Sequence, residues 1–334
     1  MKIGIFTDIS NSKLQALCRR LASRKVKPLV IEGSIPPDVE LLIVVGSDRT
    51  VLKAFHMLRE ESVPVLGVSI ASQPGFLTEI TIDELKGNLD LLLEGDYEVE
   101  PCPRLSTYID GKPAPPALNE VALFPYRSAT LMKYELWVDG RYVWRDYSDG
   151  VIIATPIGST AYSMSAGGPM VLPSARVFVI TPVNSMDLTR RPLIVPEDSM
   201  VEVSEIVSRC EVEAVIDGIE RLKVKESLRA VKAKSDALLV RLHASESHAY
   251  RKMRGKLRLS EELMKMPPSA KLTLKILEYE GPMTQRDLLR KTMLPARTLR
   301  HALSILIKKG LVGRMPNLRD ARQTIYYLRQ EVSG

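Results

Sequence analysis

The sequence predicts a doubly wound α/β domain, an all-β sandwich domain and a small α+β tail. Three observations carry this reading. Within the first hundred residues, short apolar runs alternate with segments whose apolar residues recur at helical spacing, the pattern of a parallel sheet with covering helices. From about residue 100 to 240, Asp-Gly pairs recur beside β-rich runs, the pattern of antiparallel hairpins. After about residue 260 the chain returns to helical spacings and turns basic. Its 334 residues, 45% of them hydrophobic, suffice for two or three domains with cores of their own.

Taken in order, KIGIF at 2–6 and LLIVV at 41–45 read as buried strands, with a helix around Lys13 to Ser23 between them. After Val45 come Gly46, Ser47, Asp48, Arg49 and Thr50, then Val51, Leu52, Phe55 and Leu58 at helical spacing. Strand, tight turn and helix form the place where an open α/β sheet binds phosphate or ribose. Val63 to Val68 reads as a further strand and Asp83 to Leu93 as a further helix, completing a domain over 1–100. Asp110-Gly111, Asp139-Gly140, Asp149-Gly150 and Asp217-Gly218 then punctuate runs such as YELWV and RYVW, which read as hairpins of an all-β domain over 101–242. A helical stretch at 243–258 and a linker at 259–269 with Pro267 and Pro268 follow.

The tail over 270–334 opens with Leu272, Ile276 and Tyr279 on one helix face. Thr284, with Asp287 three residues later, caps a second, short helix. A third begins near Pro295, runs through Leu299, Leu303 and Leu306, and stops at Gly310. LVGRM and QTIYYL, with a turn over 316–320 between them, read as a strand pair. Three helices and a hairpin in this order resemble a winged helix-turn-helix.

Charge and cysteine use narrow the function classes. From Glu261 onward the chain holds 14 Lys plus Arg and 7 Asp plus Glu, so the whole formal net charge of +7 lies in the tail. A polyanionic partner is therefore expected there and not on the neutral body. Cys18, Cys102 and Cys210 are odd in number and far apart, with no C-x-x-C pair, which predicts a reduced, cytoplasmic protein without a structural zinc. The first residues read as a strand and not a signal peptide, and no run approaches the roughly 18 apolar residues of a membrane span.

Residues 149–173 read DGVIIATPIGSTAYSMSAGGPMVLP. A buried strand runs into Gly, Ser, Thr and Pro, so that Gly158 admits close main-chain approach, Ser159 and Thr160 supply donors and acceptors, and Tyr162 offers a flat face with a polar tip. By composition alone this is a turn-rich loop. In its wording it resembles the most diagnostic stretch of the NAD kinase family, DG, four apolar residues, TPTGSTAY, two residues and SAGGP, with Ile157 where that family has Thr or Ser.

The resemblance covers about residues 1–258, implies that the helix at 243–258 returns to complete the 1–100 domain, and implies an NAD kinase: transfer from ATP, with Mg²⁺, to the adenosine ribose 2′-hydroxyl of NAD, giving NADP. The family's GGDGT turn reads GSDRT here, which places Asp48 as the general base and Gly46, Ser47, Arg49 and Thr50 around the nucleotide. Asp is also a favoured N-cap residue, and the two roles can coexist at Asp48. Arg49 adds bulk where a phosphate approaches, or binds that phosphate with its guanidinium fork. Phe76, Asn119, Glu120, Asp149, Thr160, Ala161, Tyr162 and Ser165 match the positions that line the dinucleotide, and Asp217 matches an Asp-Gly near the pocket, although a plain hairpin turn explains it as well. A homodimer or homotetramer, with ATP or polyphosphate as donor, follows from the same resemblance. A lipid or sugar kinase sharing the turn is disfavoured by GSTAY. The alternative from another class is a catalytically weakened NAD(P)-sensing transcriptional regulator.

The tail supplies the regulator's means. Arg297, His301, Ser304 and Lys308 fall on one stripe of the third helix with Arg300 beside it, and Arg314, Arg319 and Arg322 surround the strand pair. Such a face reads double-stranded DNA in a major groove, with the arginines on phosphates. The competing reading is a solvated face on a dimerisation domain.

Overall fold

The computed structural model describes residues 2–8, 12–24, 28–31, 33–71, 74–127, 129–242, 266–316 and 324–328. The expected helix at 243–258, most of the linker, Arg319 and Arg322 lie outside them. Two compact units result, Met1–Val68 with Leu77–Ser245, and Ser69–Phe76 with Glu246–Gly334.

The first unit holds a seven-stranded sheet in the order Leu29–Ile31, Ile3–Phe6, Leu41–Gly46, Val65–Ser69, Ala237–Arg241 and Glu98–Cys102, with Ile80–Thr81 beside Val65–Ser69. Ile3–Phe6 pairs in parallel with both neighbours. Every residue of Ile3–Phe6 and of Leu41–Gly46 is buried, as expected of central strands covered on both faces. Helices α1 (Ser12–Ser23), α2 (Asp48–Leu58) and α3 (Ile82–Glu94) belong to this layer. Val51, Leu52, Phe55 and Leu58 are all buried on α2, as their spacing predicts. The chain leaves Ile3–Phe6 for one side of the sheet and returns on the other at Leu41–Gly46, so the switch point of the strand order lies between those two strands.

Two six-stranded antiparallel sheets form the rest of this unit. One runs Arg141–Ser148, Met132–Val138, Val201–Ser208, Leu228–Lys232, Leu105–Ile109 and Lys112–Pro113. The other runs Leu193–Pro196, Val177–Val183, Gly150–Ala154, Glu120–Pro125, Val212–Ile216 and Glu220–Val224. Tyr134 and Leu136 from the first and Val151, Ile153 and Phe178 from the second share one buried cluster, as in a sandwich. Ile152, Ala154 and Val179 face the other way and pack against Ala166 and Val171, so residues 155–172 cover the outer face of the second sheet.

Two details differ from the sequence reading. Ala237–Arg241, expected in the all-β domain, joins the α/β sheet beside Glu98–Cys102. Four apolar residues and an arginine carry no mark of the sheet they will enter. Asp110-Gly111, Asp139-Gly140 and Asp217-Gly218 turn hairpins with positive φ at both residues, but Asp149-Gly150 does not. Gly150 starts a strand of the second sheet directly after a strand of the first, so this pair is a crossing between sheets. Glycine is required there because a Cβ would lie 2.4 Å from Leu123 O and from the Phe124 ring.

In the second unit, α5 (Pro268–Glu280), α6 (Gln285–Thr292) and α7 (Ala296–Lys308), numbered after the single turn α4 (Tyr162–Ser165), precede Val312–Pro316 and Thr324–Leu328. Met283–Thr284 adds a third strand, in the order Met283–Thr284, Thr324–Leu328, Val312–Pro316. Thr284 caps α6, its hydroxyl accepting from Asp287 N–H and donating to Asp287 Oδ2. Leu299, Leu303 and Leu306 are buried as predicted. On α5 the buried face is Ala270, Leu274 and Leu277, and Leu272 is exposed, because two apolar registers compete on that helix. Among the described residues no helix is long and apolar enough to cross a membrane.

Candidate active site

Asp48 opens α2 at the switch point of the α/β sheet. The N-cap is Ser47 and not Asp48. Asp48 Oδ1 accepts from Leu77 N–H at 2.9 Å and Thr78 N–H at 3.1 Å, and the helix N-terminus adds a favourable partial positive charge. Thr50 is buried, and its Oγ1 accepts from Ser47 N–H at 3.1 Å and donates to Asp8 Oδ1 at 2.8 Å. Lys53 Nζ donates to the other oxygen of Asp8 at 2.7 Å. Burial pushes the Asp8 carboxyl up, but the Lys53 and Thr50 hydrogen bonds outweigh it and hold the group below the usual carboxylate range. Gly46 cannot carry a side chain, since a Cβ would lie 2.3 Å from Thr50 Oγ1. Arg49 is exposed at this turn. Ser47 N–H, one of the groups that a phosphate nest would present, thus faces Thr50 instead. Phe76 is half-buried in the segment that groups with the second unit.

Residues 155–160 turn through a short 3₁₀ segment, Gly158–Thr160, against the Asn119 main chain. Thr155 N–H donates to Asn119 O at 2.8 Å, Thr155 Oγ1 donates to Leu118 O at 2.6 Å, and Gly158 N–H donates to Thr155 Oγ1. A Cβ on Gly158 would lie 1.9 Å from Asn119 O, so the close approach of the neighbouring main chain by itself requires glycine here. Ser159 and Thr160 are likewise turned inward, their hydroxyls donating to Pro156 O and Ile157 O. Of the residues expected to line a ligand here, Tyr162 is 46% exposed with its ring 5.6 Å from that of Phe124, Ser165 is exposed and Ala161 is half-buried. Asp149 accepts from Asn184 Nδ2 at 2.9 Å.

Asp217 is the anchor of the neighbouring loop. Its side chain is fully buried, and its oxygens accept from Leu118 N–H at 2.8 Å, Asn119 N–H at 2.7 Å and Glu120 N–H at 3.1 Å. Expected near the pocket or as a plain hairpin turn, Asp217 turns the hairpin and its carboxylate shapes the Asn119-Glu120 loop from behind. Its partner His56, and Arg104 nearby, carry no motif and went unread in the sequence. A depression of about 280 Å³ flanks Gly167, with Ser185, Asp187, Arg190 and Arg191 on its rim. Buried Asp146 sets that rim, accepting from Ser185 Oγ at 2.6 Å, while the Arg190 guanidinium lies 5.1 Å over the Trp144 ring. No sequence pattern pointed to this depression.

In the second unit Arg297, Arg300, His301 and Ser304 are exposed on α7, and Lys308 stands at its end. Arg300, Ser304 and Lys308 meet Arg314 around a depression of about 380 Å³ floored by Leu303, Ile307 and Tyr326. Arg297 and His301 are not part of it.

Comparison with known proteins places the body. The ATP-NAD kinase N-terminal domain matches residues 15–97 and the ATP-NAD kinase C-terminal domain residues 118–242. The NAD kinase of Methanopyrus kandleri is 36% identical over 204 residues, 61% of this chain and 73% of the relative. That of Geotalea daltonii is 32% identical over 272 residues, 73% of this chain and 94% of the relative. Among solved structures, an NAD kinase from Archaeoglobus fulgidus in complex with ATP superposes with a TM-score of 0.67 at 26% identity, covering 77% of this chain and 99% of that one. Yeast NADH kinase complexed with NADH shares the fold, with a TM-score of 0.65 at 22% identity over 77% of this chain and 87% of that one. With both halves of the family matched and nearly the full length of a relative aligned, the chain belongs to the NAD kinase family.

Proposed function

We propose that the body phosphorylates the adenosine ribose 2′-hydroxyl of NAD with ATP, giving NADP, and that Asp48 is the general base. The observation that carries this is the place of Asp48: in a chain of this family, it stands on the first residue of a helix at the switch point, its carboxylate oriented by Leu77 and Thr78 N–H. A carboxylate fixed in this way is the acceptor to which the hydroxyl proton would pass as the phosphoryl group transfers in line. Tyr162, Ser165, Ala161, Asn119, Glu120 and Asp149 would bind and orient the dinucleotide. Mg²⁺, on this reading, would neutralise charge on the donor's phosphates. Purified protein mixed with NAD, ATP and Mg²⁺ should form NADP; its absence overturns the reading.

One observation favours the second reading, an NAD(P)-binding regulator with weakened catalysis. Ser47 N–H is already bonded to Thr50 Oγ1, which leaves one main-chain donor fewer for a triphosphate, and Arg49 adds bulk where the family has glycine. Calorimetric binding of NAD or NADP without turnover would favour it.

We propose further that residues 270–334 are a winged helix-turn-helix that binds double-stranded DNA. Its support is the order of three helices and three strands, and the meeting of Arg300, Lys308 and Arg314 around one depression, lined by no acidic residue among those described. The domain division is then 1–100 completed by 237–241, the all-β portion between, and the tail.

A further inference from the structure

Two buried side chains tie the helix that carries Asp48 to the loop that carries Asn119 and Glu120. The first is His56, on α2 two turns beyond Asp48. Its Nε2–H donates to Asp217 Oδ2 at 2.9 Å, in a contact where the imidazole is 7% and the carboxylate 0% exposed. The same carboxylate holds the Leu118, Asn119 and Glu120 N–H groups, and Asp217 N–H returns a bond to Glu120 O at 3.0 Å. The second is Arg104, which is 1% exposed. Its Nη2 donates to Phe55 O at 3.0 Å and to Pro116 O at 2.8 Å, and its Nη1 donates to Arg59 O. Phe55 and Arg59 end α2, and Pro116 leads into the binding loop, so one guanidinium fork bridges both. Burial lowers the Arg104 pKa to about 10, partly countered by Asp217 and Glu60, and the group stays cationic at neutral pH.

The eight steps from Asp48 to His56 span about 12 Å of helix. A helix that short is stiff, so a shift where it meets His56 and Arg104 is carried to Asp48. On the proposed reading, Asp48 must face a ribose that the 118–120 loop orients. A misplacement of about 1 Å in such a geometry costs on the order of 100-fold in rate. We infer that His56 and Arg104 are positioning residues for phosphoryl transfer, which hold Asp48 in register with Asn119 and Glu120 through main-chain contacts. This rests on the kinase reading of the body.

The test uses the full-length protein with His56→Leu, His56→Gln, Arg104→Met and Arg104→Lys. NADP formation is measured with NAD and ATP varied separately, alongside calorimetric titration with NAD and thermal unfolding. His56→Leu and Arg104→Met should lower kcat by about 10- to 100-fold, with KM for ATP within about threefold of the parent. His56→Gln keeps one N–H donor for Asp217 and should recover kcat to within about fivefold, whereas Arg104→Lys, a point charge, cannot bridge three carbonyls and should remain depressed. Should the Leu and Met variants fail to fold, the Gln and Lys variants decide. His56→Gln near the parent with Arg104→Lys depressed supports the inference, and both within about twofold of the parent overturn it. A rise in KM for ATP with kcat unchanged also overturns it. If the parent makes no NADP but binds NAD, the kinase reading fails alone: a roughly 10-fold loss of NAD affinity in His56→Leu or His56→Gln then supports the positioning of the loop, and unchanged affinity overturns it. A parent that neither makes NADP nor binds NAD overturns both.

Discussion

At the scale of single residues, the site separates groups that face a ligand from groups that face the protein. Asp48 would serve both on the proposed reading, since its Oδ1 is held by main-chain N–H groups while the carboxylate as a whole would accept the proton. In Asp48→Asn the amide oxygen can keep the Leu77 and Thr78 N–H bonds, while the NH₂ replaces the oxygen that would take the proton. Turnover should therefore fall by about 10² to 10⁴-fold, with dinucleotide affinity nearly unchanged by calorimetry. Gly158 faces the protein alone. Gly158→Ala puts a Cβ where Asn119 O already stands. Denaturant unfolding should register a loss of about 1 to 3 kcal/mol, and NAD should bind more weakly because the Asn119 loop moves. The motif around Gly158 was legible in the sequence because its wording is distinctive. The reason for the glycine was not, since close approach to a ligand and close approach to Asn119 demand the same residue. His56, Arg104 and Asp8 were illegible for a different cause. Each acts through a partner between 42 and 161 positions away in the chain, a separation at which no local pattern forms.

At the scale of elements, periodicity served well wherever one face of a helix is buried, as on α2 with Val51, Leu52, Phe55 and Leu58. It chose the wrong register on α5, where Leu272 and Leu274 compete and only packing decides. The start of α2 carries the sharpest test of the nucleotide turn. If Arg49 obstructs the triphosphate, Arg49→Gly combined with Ser47→Gly should raise turnover; if it holds a phosphate, Arg49→Gly should raise KM for ATP. Steady-state kinetics against ATP separate the two, and no change in either direction would mean that the donor does not use this turn. In the tail, α7 and Val312–Pro316 present Arg300, Lys308 and Arg314 to one depression. If duplex DNA lies there, the slope of log affinity against log salt should flatten by about 0.9 for each phosphate that Arg314→Ala or Lys308→Ala leaves without its cation. A slope unchanged in both variants would assign the depression to another partner.

At the scale of the whole molecule, three carboxylates of the first unit make its stability dependent on acid. Asp110 in the Asp110-Gly111 turn is raised by burial, but N–H groups of Glu226, Ser227 and Lys225 hold it below its ordinary 3.8. Glu197 is likewise raised by burial and brought lower by Lys232 and Arg176, as Asp8 is by Lys53 and Thr50. A carboxyl whose pKa is depressed on folding stabilises the native state above its unfolded pKa and ceases to do so as pH falls through the folded value. Thermal midpoints should therefore drop as pH falls from about 5 toward 2, and Asp110→Asn, less stable than the parent at neutral pH, should converge with it at the acid end. The placing of Ala237–Arg241 between Val65–Ser69 and Glu98–Cys102 has a further consequence, for the order in which the molecule can be made. During synthesis both flanking strands leave the ribosome well over a hundred residues before the strand that fills the gap between them. The nascent amino-terminal layer must wait with an open slot in its sheet until the sandwich has been threaded through, so this body cannot mature one layer at a time and closes only when residue 241 arrives.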